Sequence, residues 1–198
     1  MRIIAGTYRS RRLEAPPGLS TRPTSDRLRE TLFNVLTPRI AGARFLDLYA
    51  GSGAVGLESL SRGAARVTFV ERAPAALKIL RRNLELLGID GSYEVHAETV
   101  AGFLRSHAKS TPRAEPYEVV FLDPPYDAAA EYAATLGWLG GAQGILAADA
   151  LVIAEHRRAE HRQKEKLEAQ YGCLQRTRLL EQGDAALSFY AVDSMRRE

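Results

Sequence analysis

The sequence predicts an α/β fold: a mostly parallel, seven-stranded sheet with a C-terminal antiparallel hairpin and a small N-terminal extension of hairpin and helix. Three observations predict it. From residue 44 onward, short apolar runs alternate with stretches of helical spacing. A glycine-rich turn follows the first run directly, and the last two runs form a hairpin turning at Gln182-Gly183-Asp184. Strands separated by helices pair in parallel through right-handed crossovers, and ligands of such sheets lie across the carboxyl ends of the strands. The residues at those ends therefore carry the functional argument.

In chain order, Arg2–Tyr8 and Arg11–Ala15 are expected to pair as a small hairpin. Thr24 or Ser25 caps a helix with Leu28, Leu32, Val35 and Leu36 on one face, ending near Thr37-Pro38, and with Arg27, Thr31 and Asn34 on another. Arg44–Ala50 reads as a buried strand, and Val55–Ser61 as a helix closed by Arg62-Gly63. Val67–Glu71 is the second strand, followed by a helix over Ala73–Leu87 with Leu77, Leu80, Leu84 and Leu87 in a stripe and Gly88 as its stop. Tyr93–His96 is a short third strand, Thr99–His107 a helix, and Tyr117–Asp123 a strong fourth strand. Lys109–Pro116 reads as a surface loop, Ala128–Leu139 as helix and Leu151–Glu155 as the fifth strand. His156–Glu168, mixing Arg, Lys and Glu, reads as a solvated helix, and Cys173–Glu181 with Ala186–Val192 forms the closing hairpin.

Composition bounds the function. With 198 residues, 45% of them hydrophobic, the chain suits one domain with at most a small appendage. No run approaches the roughly 20 apolar residues of a membrane span, and Met1-Arg2-Ile3-Ile4 leads into Arg9, Arg11 and Arg12 without an apolar signal core. A cytoplasmic protein with no membrane association is expected. The single Cys173 excludes an internal disulfide or a multi-cysteine zinc site and reads as a core residue. His96, His107, His156 and His161 show no metal-ligand spacing and read as strand-end or surface residues, so no metal is expected. The formal charge of +3 is unevenly spread: residues 1–44 hold nine arginines against Glu14, Asp26 and Glu30, a net +6, which leaves −3 for the rest. This divides the chain into a basic extension over 1–43 and a body over 44–198. A basic segment on an acidic body suits phosphate contact at one face, and also suits a merely solvated surface.

Gly51-Ser52-Gly53-Ala54-Val55-Gly56 fits G-x-G-x-x-G, follows a strand, opens a helix, and has Glu71 at the next strand end. Three readings compete: a tight turn with no ligand, a dinucleotide site, and a site for S-adenosylmethionine. Asp47, four positions before Gly51, favours the last. A carboxylate there repels a pyrophosphate but suits a ligand carrying an ammonium and a sulfonium.

Asp123-Pro124-Pro125-Tyr126 follows the uncharged run Val119–Leu122, so the strand delivers a carboxylate to the ligand edge of the sheet. Proline and aspartate also favour a plain structural turn. The functional reading is methyl transfer to a planar amino nitrogen, whose lone pair is delocalised into the ring. Hydrogen bonds from its N–H groups to the Asp123 carboxylate and the Pro124 carbonyl draw it toward tetrahedral geometry and stabilise the developing positive charge. Tyr126 offers a ring for stacking the base.

The chain resembles the RsmD family of bacterial 16S rRNA (guanine-N2)-methyltransferases over nearly its whole length. The resemblance rests on Met1–Thr7, on Thr21–Ser25 with Arg29-Glu30 and Phe33-Asn34, on Phe45–Ala64, and on Val70-Glu71, Asn83 and Val120–Tyr126. It implies a Rossmann-like class I methyltransferase fold, S-adenosylmethionine as cofactor, and 16S rRNA in the small subunit or its assembly intermediate as partner. By position it implies that Asp47, Gly51 and Gly53 take the methionine end of the cofactor, with Tyr49 and Ser52 beside them in the turn. Glu71 takes the ribose, and Glu98 stands near the adenine. Asp123, Pro124 and Tyr126 take the guanine. Arg9, Arg11, Arg12 and Arg22 grip rRNA phosphates, while Thr24, Arg27 and Asn34 form a lid over the cofactor. A monomer is expected, because a large substrate must reach the strand ends. Two rivals stand beside this reading: a DNA adenine-N6 methyltransferase, which usually needs an added recognition domain, and a non-catalytic RNA-binding assembly factor. A protein-glutamine methyltransferase would more naturally begin the tetrapeptide with Asn.

Overall fold

A computed structural model of the chain describes residues 1–15, 26–108, 115–125, 129–141, 144–158 and 167–193. By compactness they fall into two units, Met1–Thr99 and Val100–Glu198. The first holds α1 (Asp26–Ile40), β1 (Arg44–Leu48), α2 (Ala54–Ser61), β2 (Arg66–Val70), α3 (Pro74–Leu87) and β3 (Tyr93–His96). The second holds α4 (Val100–Ala108), β4 (Tyr117–Leu122), α5 (Ala129–Gly141), β5 (Leu146–Arg157), β6 (Gln170–Tyr171), β7 (Leu174–Gln182) and β8 (Ala185–Val192).

In the first unit β2 lies between β1 and β3, and both pairings are parallel, with Leu48 opposite Val70 and Val70 opposite His96. All three strands therefore end at one edge. Phe45, Leu46, Leu48, Val67, Phe69 and Val70 have no exposed surface, which fits the mostly apolar runs of a sheet covered on both faces. Helix α3 starts with Pro74, whose missing N–H is no loss in a first turn, and stops at Gly88 with φ 66°. Its stripe of Leu77, Leu80, Leu84 and Leu87 is buried as the spacing predicts, each worth about 1.5–3 kcal/mol.

Two N-terminal expectations need correction. The hairpin shrinks to one antiparallel bridge, Arg2 with Arg12. The amides that would extend it are taken elsewhere: Ile4 and Ala5 N–H donate to the Glu58 carboxylate at 2.7 and 3.0 Å, and Thr7 and Tyr8 N–H to the Ser61 carbonyl and hydroxyl at 2.8 and 3.0 Å. Gly6, at φ 84°, lies so close to α2 that a Cβ would come within 1.7 Å of the Ser61 carbonyl oxygen. Helix α1 also runs through Pro38 to Ile40 instead of stopping. Pro38 is exposed in the last turn, where a proline forfeits one hydrogen bond, while Ile40 beyond it is buried.

In the second unit β4 pairs in parallel with β5, and β5, β8, β7 and β6 follow in antiparallel order. The predicted closing hairpin is present, turning at Gly183 with φ 62°. Strand β5 begins five residues earlier than expected: Leu146 pairs with Tyr117 and Leu151 with Val119, so 147–150 interrupt the parallel ladder. It also runs on through His156 and Arg157, which pair with Ala186 and Ala185 instead of starting a helix. Most of that expected helix lies outside the described residues, as do His161 and 109–114 of the expected loop. Strand β6 is an eighth strand, two residues long and without a sequence signal. It is held against α5, where Cys173 N–H donates to the Gly140 carbonyl at 3.0 Å and a Cβ on Gly140 would meet the Tyr171 carbonyl oxygen at 1.8 Å. Cys173 is buried, as expected.

The whole is the predicted mixed α/β fold, mostly parallel strands followed by an antiparallel C-terminal set. Among the described residues no helix is long and apolar enough to cross a membrane.

Candidate functional site

Between β1 and α2 the chain turns through Tyr49 at φ 62°, Gly51 at φ 56° and Gly53 at φ 80°. The left-handed region costs a non-glycine residue about 1–2 kcal/mol, so Tyr49 is a strained position of the kind that clusters at binding sites. Two backbone bonds hold the turn: Ala50 N–H donates to the Val70 carbonyl at 3.0 Å and Gly53 N–H to the Ala50 carbonyl at 2.8 Å. Gly53 packs under α3, where a Cβ would meet Leu80 Cδ1 at 2.3 Å.

Two carboxylates hold the rest. Asp47, 2% exposed, accepts the Gly56 N–H on Oδ2 at 2.9 Å. Gly56 is small because it must be: a Cβ would lie 2.2 Å from Phe69 Cε1 and 2.9 Å from Asp47 Oδ2. Burial pushes the Asp47 carboxyl up to about 8; the Gly56 N–H opposes the shift and the negative charge of Glu71 adds to it. Among the described residues no basic side chain pairs with Asp47. Glu71, at the end of β2, accepts Gly51 N–H on Oε2 at 2.8 Å and Arg72 and Ala73 N–H on Oε1 at 2.8 and 2.7 Å. A carboxylate has about four lone-pair sites, so Glu71 can shape the turn and still accept from a ligand hydroxyl.

Sequence reasoning gave Asn83 no role, yet it fastens this turn. Fully buried on α3, it donates from Nδ2 to the carbonyls of Ser52 and Glu14 at 3.0 and 3.1 Å and accepts Glu14 N–H on Oδ1 at 2.7 Å. Arg29 and Glu58 were equally unassigned. Both side chains are fully buried, 3.7 Å apart, and Glu58 also binds Arg62 Nε at 2.8 Å, while Arg29 donates to Asp26 Oδ1 at 2.9 Å and to the Arg2 carbonyl at 2.5 Å. Each of the three belongs to a recognised motif, but only the long-range contacts reveal its task.

The structure thus gathers the turn residues Tyr49, Gly51, Ser52 and Gly53 with Asp47 of β1 and Glu71 at the end of β2. Glu98 follows β3 at the same sheet edge, where Glu71 N–H donates to the His96 carbonyl at 3.1 Å and His96 Nδ1 lies 3.5 Å from Glu98 Oε1. Asn34 is exposed on α1 and, among the described residues, makes no hydrogen bond to the turn. Arg9, Arg11 and Arg12 are exposed, and Arg11 Nη2 donates to the Leu86 carbonyl at 3.4 Å. In the second unit β4 places half-buried Asp123 and buried Pro124 at its carboxyl end. Tyr126, Arg22 and Thr24 lie outside the described residues. His156 stands at the end of β5, as expected, and is half-buried there: its Nε2 lies 2.9 Å from Ser188 Oγ, and burial lowers its pKa.

The model of the family described as Conserved hypothetical protein 95 matches residues 1–191. The chain is 43% identical over 126 residues to Ribosomal RNA small subunit methyltransferase D of Escherichia coli strain K12, a match covering 64% of this chain and 60% of that protein. Its fold is that of yhhF from Escherichia coli, named as a methyltransferase, with TM-score 0.80, 34% identity and 98% of each chain covered. A hypothetical protein of Thermus thermophilus, TTHA0928, superposes with TM-score 0.76 at 31% identity, over 96% of this chain and 98% of that one. These neighbours give the fold as Rossmann-like and of the methyltransferase kind. With the family match spanning the glycine turn, both strand-end carboxylates and the N-terminal segment, the chain belongs to the Conserved hypothetical protein 95 family, the RsmD methyltransferase family its motifs resemble.

Proposed function

We propose that this chain transfers the methyl group of S-adenosylmethionine to the exocyclic N2 amino group of one guanine in 16S rRNA, within the small ribosomal subunit or its assembly intermediate. The observation that carries the reading is Asp47: a buried carboxyl under a glycine turn, raised to about 8, with no basic side chain to neutralise it among the described residues. A pyrophosphate would meet the Glu71 carboxylate and could only hold Asp47 in its neutral form, whereas a ligand with an ammonium group supplies the missing positive charge and favours the Asp47 carboxylate. When bound, S-adenosylmethionine supplies a methyl group made electrophilic by its sulfonium.

Asp47 holds the ammonium end, and the backbone of Gly51, Ser52 and Gly53 lets the ligand approach closely, with Tyr49 beside it. Glu71 accepts from the ribose hydroxyls, Glu98 stands toward the adenine, and Asn34 contributes to a lid. Asp123 and the Pro124 carbonyl accept hydrogen bonds from the guanine amino group, and Tyr126 stacks on the ring. The Asp123 carboxylate also takes the proton that leaves the nitrogen. Residues 1–43 serve as the RNA-binding and lid extension of a catalytic body over 44–198, with Arg9, Arg11, Arg12 and Arg22 on phosphates. The protein works as a monomer in the cytoplasm, where small subunits are assembled.

The test incubates labelled S-adenosylmethionine with small subunits, free 16S rRNA and DNA, then identifies the modified nucleoside. N2-methylguanosine in rRNA is expected, and N6-methyladenine in DNA would overturn the reading. Asp123→Ala should lower turnover at least about 10²-fold while cofactor affinity stays within tenfold. Full turnover in that variant would remove Asp123 from the chemistry.

A further inference from the structure

We infer that the exposed face of α3, Lys78, Arg81 and Arg82, binds RNA phosphates and, through Arg11, extends the surface of the N-terminal arginines. The inference rests on the rRNA reading above and names a surface for it. Helix α3 has two faces of opposite character. Leu77, Leu80, Asn83, Leu84 and Leu87 are buried, while Lys78, Arg81 and Arg82, at i, i+3 and i+4, are exposed side by side.

The basic N-terminal segment is seated along the same helix. Arg11 Nη2 donates to the Leu86 carbonyl at 3.4 Å, Arg82 Nε lies 3.6 Å from Glu14 Oε1, and Asn83 grips the Glu14 backbone at 2.7 and 3.1 Å. Arg11 and the helix arginines therefore share one surface.

A solvated, salt-bridge-laced helix face carries charges of alternating sign. Only Arg82 is balanced, by Glu14 and by Glu85 at 3.4 Å. Among the described residues Lys78, Arg81, Arg9, Arg11 and Arg12 make no ion pair, whereas Arg66 on the same unit is matched by Glu94 at 2.6 Å. The excess charge sits on long side chains, and the one exposed large apolar side chain beside them is Leu86. A protein partner would need an apolar core to its interface; a phosphate backbone needs only the charges.

The experiment measures binding of the full chain to protein-free 16S rRNA across a salt series. Lys78→Gln/Arg81→Gln/Arg82→Gln should weaken binding at least tenfold near about 0.15 M salt, and its salt slope should be shallower by about 2. Lys78→Gln/Arg81→Gln, which keeps both Arg82 pairs, should show a slope change of about 1.4. Melting temperature and S-adenosylmethionine affinity should match the wild type, which separates lost contact from lost fold. An unchanged slope in both variants overturns the surface, as does an equal loss from Arg105→Gln on α4 of the second unit. If the wild type binds and methylates rRNA while the variants bind equally well, only the surface falls. If the wild type binds neither protein-free 16S rRNA nor small subunits, the surface and the rRNA reading fall together.

Discussion

Two irregular stretches of the first unit solve one problem in different ways. The glycine turn over 49–53 and the N-terminal segment over 2–8 both leave regular structure inside the fold, and a buried carboxylate lies beside each: Asp47, which takes the Gly56 N–H just past the turn, and Glu58. Glu58 accepts Ile4 and Ala5 N–H at 2.7 and 3.0 Å, with Arg62 at 2.8 Å and Arg29 at 3.7 Å. Asp47 accepts the Gly56 N–H alone and has no cation beside it among the described residues. The difference separates an anchor from a binding site. A buried carboxylate whose charge and lone pairs are used up can only hold structure, while one left short of positive charge can still be completed by a ligand.

Glu58→Ala should have the largest effect on stability. It removes the acceptor of two backbone amides and leaves fully buried Arg29 with only the half-exposed Asp26 as counter-charge. Breaking a buried pair by removing one partner costs about 3–5 kcal/mol, measurable by urea denaturation. Glu58→Gln, which keeps an acceptor oxygen but not the charge, should fall between that variant and the wild type. A loss below about 1 kcal/mol for Glu58→Ala would mean that the N-terminal segment is not anchored here.

Asn83 tests the boundary between the two regions, because it holds both: Ser52 in the turn and Glu14 beyond the segment. Asn83→Leu should cost about 1–3 kcal/mol, since the Glu14 N–H loses its acceptor. It should also weaken ligand binding at the turn severalfold. Unchanged ligand affinity with reduced stability would confine Asn83 to the N-terminal segment.

The regular elements and the glycine turn were readable because their causes are local. Leucine spacing marks α3, Gly88 ends it, and the Asp-x-x-x-Gly-x-Gly spacing puts Asp47 under the turn that it serves. The N-terminal hairpin is shorter than the sequence suggests because its competitor is remote: the amides of Ile4 and Ala5 find Glu58 more than 50 positions away. His156 looked helical by its charged neighbours, but strand pairing with Ala186 decided its state. The roles of Arg29, Glu58 and Asn83 share this cause, since a buried polar residue on a helix shows its type in sequence but not the distant backbone it satisfies.

The smallest effect is a single proton. Asp47 has its folded pKa raised from 3.8 to about 8 by burial, so its protonated form is the favoured one and its contribution to stability is lost as pH rises through about 8. Asp47→Asn, which cannot ionise, should therefore flatten the decline of unliganded stability between about pH 4 and 8. Binding of a cationic ligand group reverses the preference by favouring the carboxylate. At pH 7, below the raised value, binding of S-adenosylmethionine should release up to one proton, and affinity should rise with pH until it levels off above about 8. Calorimetric titration in two buffers of different ionisation enthalpy reads that proton directly. Asp47→Asn should bind more weakly and release none. Equal proton release in wild type and variant would assign the titration to another group and make Asp47 an anchor like Glu58.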